Sequence, residues 1–230
     1  MSQVIIAADG LDLSQCLSLT SIIGYKVNAI KIHDIYDQHG PIVVQQLLYS
    51  GVSRVWVDLK LHDIPKTVKL RARAIAKSGA KIITVHALGE ADMMAAAVEG
   101  VKDCAEIYAV TILTSLNEQQ VLKRFGGTTK EVVFDLAIEA EKAGVHGIVC
   151  SPQEVEMLAQ APELKRLKLI TPGIRSAGKE THDQKRFDTP TVAIKAGAHY
   201  LVVGRQITEA PDPLVALEEI EDEIAKTLTI

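Results

Sequence analysis

Short apolar runs recur along the chain: VIIAA from Val4, YKVNAIKI from Tyr25, RVWVDLK from Arg54, KIITVHA from Lys81, IYAVTIL from Ile107, GIVC from Gly147, LKLI from Leu167 and HYLVV from His199. Each is short, often β-branched, and bounded by Gly, Asp or Ser, so together they predict about eight strands. The intervening segments carry helical spacing. After Pro65, the residues Val68, Ala72, Ile75 and Gly79 fall on one face, with proline near the first turn where its missing N–H costs nothing. A second helix is predicted from Ala91 to Val101, and a last one from Pro213 through Leu217, Ile220 and Ile224. Strand alternating with helix about eight times predicts an α/β fold in which a parallel sheet closes into a single (β/α)8 TIM barrel, with residues 1–230 as one domain. A doubly wound open sheet is the competing architecture. Its Gly-rich turn after the first strand is missing, because Asp9-Gly10-Leu11-Asp12 has no further glycines in register.

Composition narrows the class of partner. Hydrophobic residues make up 47% and charged residues 23% of the 230, with few aromatics, so the core must be aliphatic. The net charge of −4 is spread without a basic block, which argues against a nucleic-acid footprint or a polybasic membrane surface. No apolar run approaches the roughly 20 residues that span a bilayer. Cys16, Cys104 and Cys150 are odd in number and far apart, as expected of free thiols in a reducing compartment, and the start of the chain lacks a signal-like apolar run. A cytoplasmic location is the expectation.

In such a barrel the reactive groups stand at the C-terminal ends of strands. The polar strand ends are Asp9 on the first, Lys26 on the second, Asp58 and Lys60 on the third, His86 on the fourth, Thr114 and Ser115 on the fifth, and Gly204-Arg205 on the eighth. The densest cluster is Asp58-Leu59-Lys60-Leu61-His62-Asp63. Strand period puts Asp58 and Lys60 on one face, and a flanking carboxylate would keep a buried ammonium charged. The competing account is a surface ion pair followed by Asp63 as a helix cap. For Asp63 alone the cap is favoured; for the three together, a functional cluster. Gly204-Arg205 fits an anion site after strand eight, and the segment from Pro172 to Asp188, with Arg175 and Gln184, is long enough for a lid. None of the histidines has zinc-site spacing; His86 is expected to be buried and hydrogen-bonded. A Mg²⁺ among Asp9, Asp58 and Asp63 would compete with Lys60 for space and charge.

The run DLKLHDIPKTV from Asp58 resembles the signature of the orotidine 5′-monophosphate decarboxylase family. VTILTS from Val110, VCS from Val149, TPGIR from Thr171, DQKR from Asp183 and LVVGRQIT from Leu201 follow in the family's order. The resemblance implies decarboxylation of orotidine 5′-monophosphate without metal or cofactor. It implies that Asp9 and Lys26 bind the ribose hydroxyls, Ser115 the pyrimidine edge, and Gln184, Gly204 and Arg205 the phosphate. Lys60 would protonate C6, Asp58 would hold Lys60 charged, and Asp63 and Thr67 would reach into the neighbouring site of a homodimer. The chain departs from the pattern around Asn28, Lys31 and His33, and at Ser176, where a proline is usual and whose replacement implies a more mobile lid. Related metal-using phosphosugar barrels carry a carboxylate on strand two, and Lys26 there argues against them. A non-catalytic sugar-phosphate binder would have little reason to bury Lys60 between aspartates.

Overall fold

Seven of the apolar runs become strands close to where the pattern puts them. In a computed structural model, described for residues 2–176 and 188–228, these are β1 (Val4–Ala7), β3 (Val55–Leu61), β4 (Ile82–His86), β5 (Glu106–Val110), β6 (Gly147–Val149), β7 (Lys168–Thr171) and β8 (Tyr200–Val203). The eighth, β2, is only Ala29–Ile32, so the predicted strand from Tyr25 starts too early. Neighbouring strands pair in parallel, and β1 pairs with both β2 and β8, closing the barrel in sequence order.

Helices return the chain between strands. They are α1 (Leu13–Ile23), α2 (Asp34–His39), α3 (Ile42–Tyr49), α4 (Pro65–Lys77), α5 (Glu90–Val101), α6 (Glu118–Phe125), α7 (Thr129–Lys142), α8 (Pro152–Gln160), α9 (Pro190–Lys195), α10 (Arg205–Thr208) and α11 (Pro213–Leu228). The predicted faces are the buried ones: Val68, Ala72 and Ile75 on α4, and Leu217, Ile220 and Ile224 on α11. None of the described helices is long and apolar enough to cross a membrane.

The two-residue period sorts each strand into layers. Val4 and Ile6, Ile30 and Ile32, and Val55 and Val57 face the helices; Ile5 and Ala7, Ala29 and Trp56 face the barrel interior with Ile82, Tyr108, Ile170 and Val202. Trp56 fills the middle of the interior. Its indole N–H donates to Thr84 Oγ1 at 2.6 Å, and its ring meets Tyr108 edge-on, with centroids 5.6 Å apart. Above this layer the inward positions turn polar, which fixes where a site can form.

Candidate active site

A cavity of about 580 Å³ opens at the C-terminal end of the barrel. Trp56, Thr84 and Val202 contribute to its lining from the interior, Asp9, Lys31, Asp58 and Lys60 from one side, and Gly173, Arg175, Gly204 and Arg205 from another. The inward period of β1, β2 and β3 delivers the first three of the charged group Asp9, Lys31, Asp58 and Lys60. Asp9 follows β1, Lys31 alternates with Ala29 on β2, and Asp58 follows Trp56 on β3.

These four side chains form one chain of opposite charges. Lys31 Nζ lies 2.7 Å from Asp9 Oδ1 and 3.2 Å from Asp58 Oδ2, and Lys60 Nζ lies 2.9 Å from the same Asp58 oxygen. Asp58 is 7% exposed and Lys60 41%, so the carboxylate is rooted in the wall while the second ammonium stands in the cavity. Burial opposes charging Lys31, but Asp58 and Asp9 together outweigh it and raise its pKa. Burial likewise opposes ionising Asp9, yet the hydrogen bond from His33 and the charge of Lys31 hold its carboxyl well below the usual range. Asp9 and Lys31 therefore stand as a fixed pair of full charges.

Lys60 reaches its place through an irregular backbone. The β3–β4 register shifts between Val57 and Leu61, and Lys60 itself has φ 46°, the left-handed region that a non-glycine residue enters at a cost. Simple alternation therefore misses how this lysine is aimed; the bulge does it. Such strain persists only where surrounding structure fixes it, and it concentrates at functional sites.

Several expectations need correction. Lys26 is not on β2: it lies in the preceding turn, with Nζ 2.6 Å from Glu218 on α11, outside the cavity lining. Lys31 takes the inward place on the strand. Strand β5 ends at Val110, so Thr114 and Ser115 sit in the following loop; Thr114 lines the cavity, whereas Ser115 is exposed and does not. Asp63 does not cap α4, whose N-cap is Ile64 with no side-chain bond; among the described residues its carboxylate accepts only the adjacent Ile64 N–H, at 2.7 Å.

Other expected residues fall as follows. Asp63 is exposed, Thr67 is half-buried in the first turn of α4, and neither lines the cavity of its own chain. Gly204 and Arg205 line it together with Arg175, whose Nη1 donates to Ile174 O at 2.6 Å. Gln184 lies outside the described residues. The long segment after β7 is pinched at its base, where Arg175 N donates to Asp188 O at 3.0 Å and Asp188 N to Gly173 O at 3.1 Å; Gly173 supplies the left-handed turn there. Ser176 is clasped by Gln206, donating its N–H to Gln206 Oε1 at 3.0 Å and accepting from Gln206 Nε2 at 2.8 Å; the lid whose mobility its presence was expected to raise lies outside the described residues. His86 is not the hydrogen-bonded residue expected: it stacks on His62, and its buried Nδ1 has no partner among the described residues.

Comparison with known proteins identifies the family. The model of the orotidine 5′-phosphate decarboxylase / HUMPS family matches residues 2–220. Proteins named orotidine 5′-phosphate decarboxylase are 41% identical in Nitrosococcus oceani, covering 97% of this chain and 98% of that one, and 40% identical in Thermobifida fusca, covering 97% and 96%. The crystal structure of orotidine 5′-phosphate decarboxylase from Lactobacillus acidophilus superposes with a TM-score of 0.83 at 33% identity, covering 97% of this chain and 99% of that one. With matches of this extent in sequence and in structure, the chain belongs to the orotidine 5′-phosphate decarboxylase / HUMPS family.

Proposed function

We propose that this protein is a carboxy-lyase that converts orotidine 5′-monophosphate to uridine 5′-monophosphate and carbon dioxide, the decarboxylation step of pyrimidine nucleotide synthesis. The observation that carries the reading is the Asp9–Lys31–Asp58–Lys60 chain in the wall of a cavity that Arg175 and Arg205, suited to a phosphate, also line.

The chemistry asks for this arrangement. When the C6–carboxylate bond breaks, its electron pair stays on C6, with no adjacent carbonyl to delocalise it. The Lys60 ammonium, fixed beside that carbon, stabilises the growing negative charge and then transfers a proton to C6, regaining one from solvent afterwards. Asp58 holds Lys60 in place. Asp9 and Lys31, in the role first expected of Lys26, hold the ribose hydroxyls. Thr114 stands where Ser115 was expected, by the pyrimidine edge. Arg205 and Gly204, with Arg175 beside them, hold the phosphate, whose binding energy drives orientation at the distant ring. Gln184 completes the phosphate contacts in this reading. No metal takes part, because Lys31 and Lys60 occupy the space and charge between the carboxylates where a cation would sit.

The same reading makes the chain one catalytic domain of a cytoplasmic homodimer. Asp63 and Thr67, which turn away from their own cavity, complete the partner's, and the exposed Ile64 beside them is covered on association.

Adding orotidine 5′-monophosphate to the purified protein should bleach the substrate's ultraviolet absorbance at a rate that EDTA leaves unchanged. Folded protein that leaves the absorbance intact overturns the assignment, and a loss with EDTA that Mg²⁺ restores overturns the metal-free mechanism. Lys60→Ala and Asp63→Ala homodimers should each be nearly inactive. Co-refolded in equal amounts, about half the dimers are mixed and carry one sound site, so activity should return to roughly a quarter of wild type. Mixed dimers with parental activity would place Asp63 within its own chain's chemistry.

A further inference from the structure

Behind Asp9 stands a residue that the reaction chemistry does not call for. His33, just past the end of β2, does not line the cavity, yet its Nε2 lies 3.1 Å from Asp9 Oδ1. Its Nδ1 accepts the Asp34 backbone N–H at 2.7 Å, which caps α2. The ring is thus pinned on both sides, by a helix N-terminus and by a carboxylate.

We infer that His33 is a positioning residue, which fixes the Asp9 carboxylate so that its second oxygen faces the ribose. This rests on the reading that Asp9 binds the ribose hydroxyls.

Two donors converge on Asp9 Oδ1: Lys31 Nζ from the strand and His33 Nε2 from beyond its end. Among the described residues none donates to Oδ2. A carboxylate held through one oxygen by two donors from different directions cannot rotate about its Cβ–Cγ bond without breaking one of them, so the free oxygen keeps its aim. Lys31 alone would not achieve this, because it is shared with Asp58 at 3.2 Å and its flexible stem tolerates rotation.

The geometry also sets which proton matters. With Nδ1 accepting from the backbone, the proton of neutral imidazole sits on Nε2, the nitrogen 3.1 Å from Asp9 Oδ1. The hydrogen bond to Asp9, against the opposing effects of burial and Lys31, raises the His33 pKa. Protonation turns Nδ1 from acceptor to donor: the bond from Asp34 N–H is given up, and the new N–H faces Asp34 Oδ1 at 3.1 Å, a buried oxygen with no hydrogen-bond partner among the described residues. Nε2 carries its proton in both forms, so a donor faces Asp9 in each.

The two jobs of the ring can be separated by substitution. Asparagine at position 33 can still accept the Asp34 N–H, as a good N-cap does, but is too short to reach Asp9. Glutamine has the length to donate to Asp9. We expect His33→Asn to raise KM for orotidine 5′-monophosphate about tenfold, in line with losing a hydrogen bond to a charged group, with kcat changed less than about threefold and thermal stability near wild type. His33→Gln should restore most of the KM. In an Asp9→Ala background, His33→Asn should add no further increase in KM.

A wild-type KM for His33→Asn, or an additive effect in the double variant, overturns the positioning role while leaving Asp9's role intact. A His33→Gln variant as impaired as His33→Asn overturns it as well, since donation to Asp9 would then not be what matters. If instead Asp9→Ala alone leaves KM unchanged, the ribose reading fails first and the inference falls with it.

Discussion

Both ends of the barrel carry a buried-to-half-buried ion network, and only one is a site. At the N-terminal end, Glu106 opens β5 and accepts Lys168 Nζ through Oε1 at 2.6 Å, and Arg54 Nη2 at 2.9 Å and the Tyr108 hydroxyl at 2.6 Å through Oε2. Arg54 also donates to Asn28 at 2.9 Å. At the C-terminal end, Asp9, Lys31, Asp58 and Lys60 make an equally dense network. The difference is in what is left over. Glu106 has donors on both oxygens, its charge partners sit on regular strand ends, and Arg54, Glu106 and Lys168 do not line the large cavity. The upper network borders that cavity, keeps a half-exposed ammonium, and holds it on a left-handed backbone. Ion pairing alone therefore does not mark an active site; unused donor and acceptor capacity beside a cavity, maintained against strain, does.

Substitutions at the two ends should separate activity from stability. Lys60→Ala should lower turnover about a thousandfold or more, the scale for removing a charged donor that is also the proton source, while the protein stays folded. The check is single-turnover decarboxylation beside a thermal unfolding scan; turnover within tenfold of wild type in a folded variant would place the chemistry elsewhere.

Glu106→Ala should do the reverse. It leaves Arg54 and Lys168 without their shared partner, costing about 2 kcal/mol in urea unfolding at neutral pH, with kcat/KM of the folded fraction near wild type. The Glu106 pKa is lowered because the hydrogen bonds from Lys168 and Tyr108 and the charge of Arg54 outweigh burial. A lowered folded-state pKa contributes stability above the unfolded value of about 4.3 that is lost as pH falls through the folded value. Wild type should thus lose more stability than Glu106→Gln below about pH 4.3; parallel pH profiles would mean the lower network contributes nothing through ionisation.

The smallest effect isolates the strain. Lys60→Gly and Lys60→Ala remove the same ammonium, but only glycine accepts φ 46° freely, so the glycine variant should be more stable by about 1 kcal/mol despite glycine's greater chain entropy. Equal stabilities would mean the backbone relaxes and the lysine was not held under strain.

Much of this was legible in the sequence, and the misses have physical reasons. The barrel could be read because buried parallel strands appear as short apolar runs separated by helical spacing. Lys26 was misplaced because the run from Tyr25 looks continuous, although its parity held the answer: Ile30 and Ile32 form the helix-facing side, so Lys31 and not Lys26 shares the inward face with Ala29. Thr114 and Ser115 lie past the end of β5, where strand period no longer says which side chain faces the cavity. His33 drew attention only as a departure from a pattern, since its contacts join a strand end, a loop aspartate and a helix cap that no local spacing connects.

Trp56 is the only tryptophan in the chain, and it stands between the two networks, lining the cavity above and meeting Tyr108 below. Excited at the red edge of the indole band, where the five tyrosines do not absorb, emission comes from a single fluorophore whose ring borders the ligand volume. A nucleotide entering the cavity replaces water against that indole and should shift or quench the emission directly. In the Lys60→Ala variant, where turnover is nearly abolished, the same optical change would let substrate affinity be titrated without conversion to product.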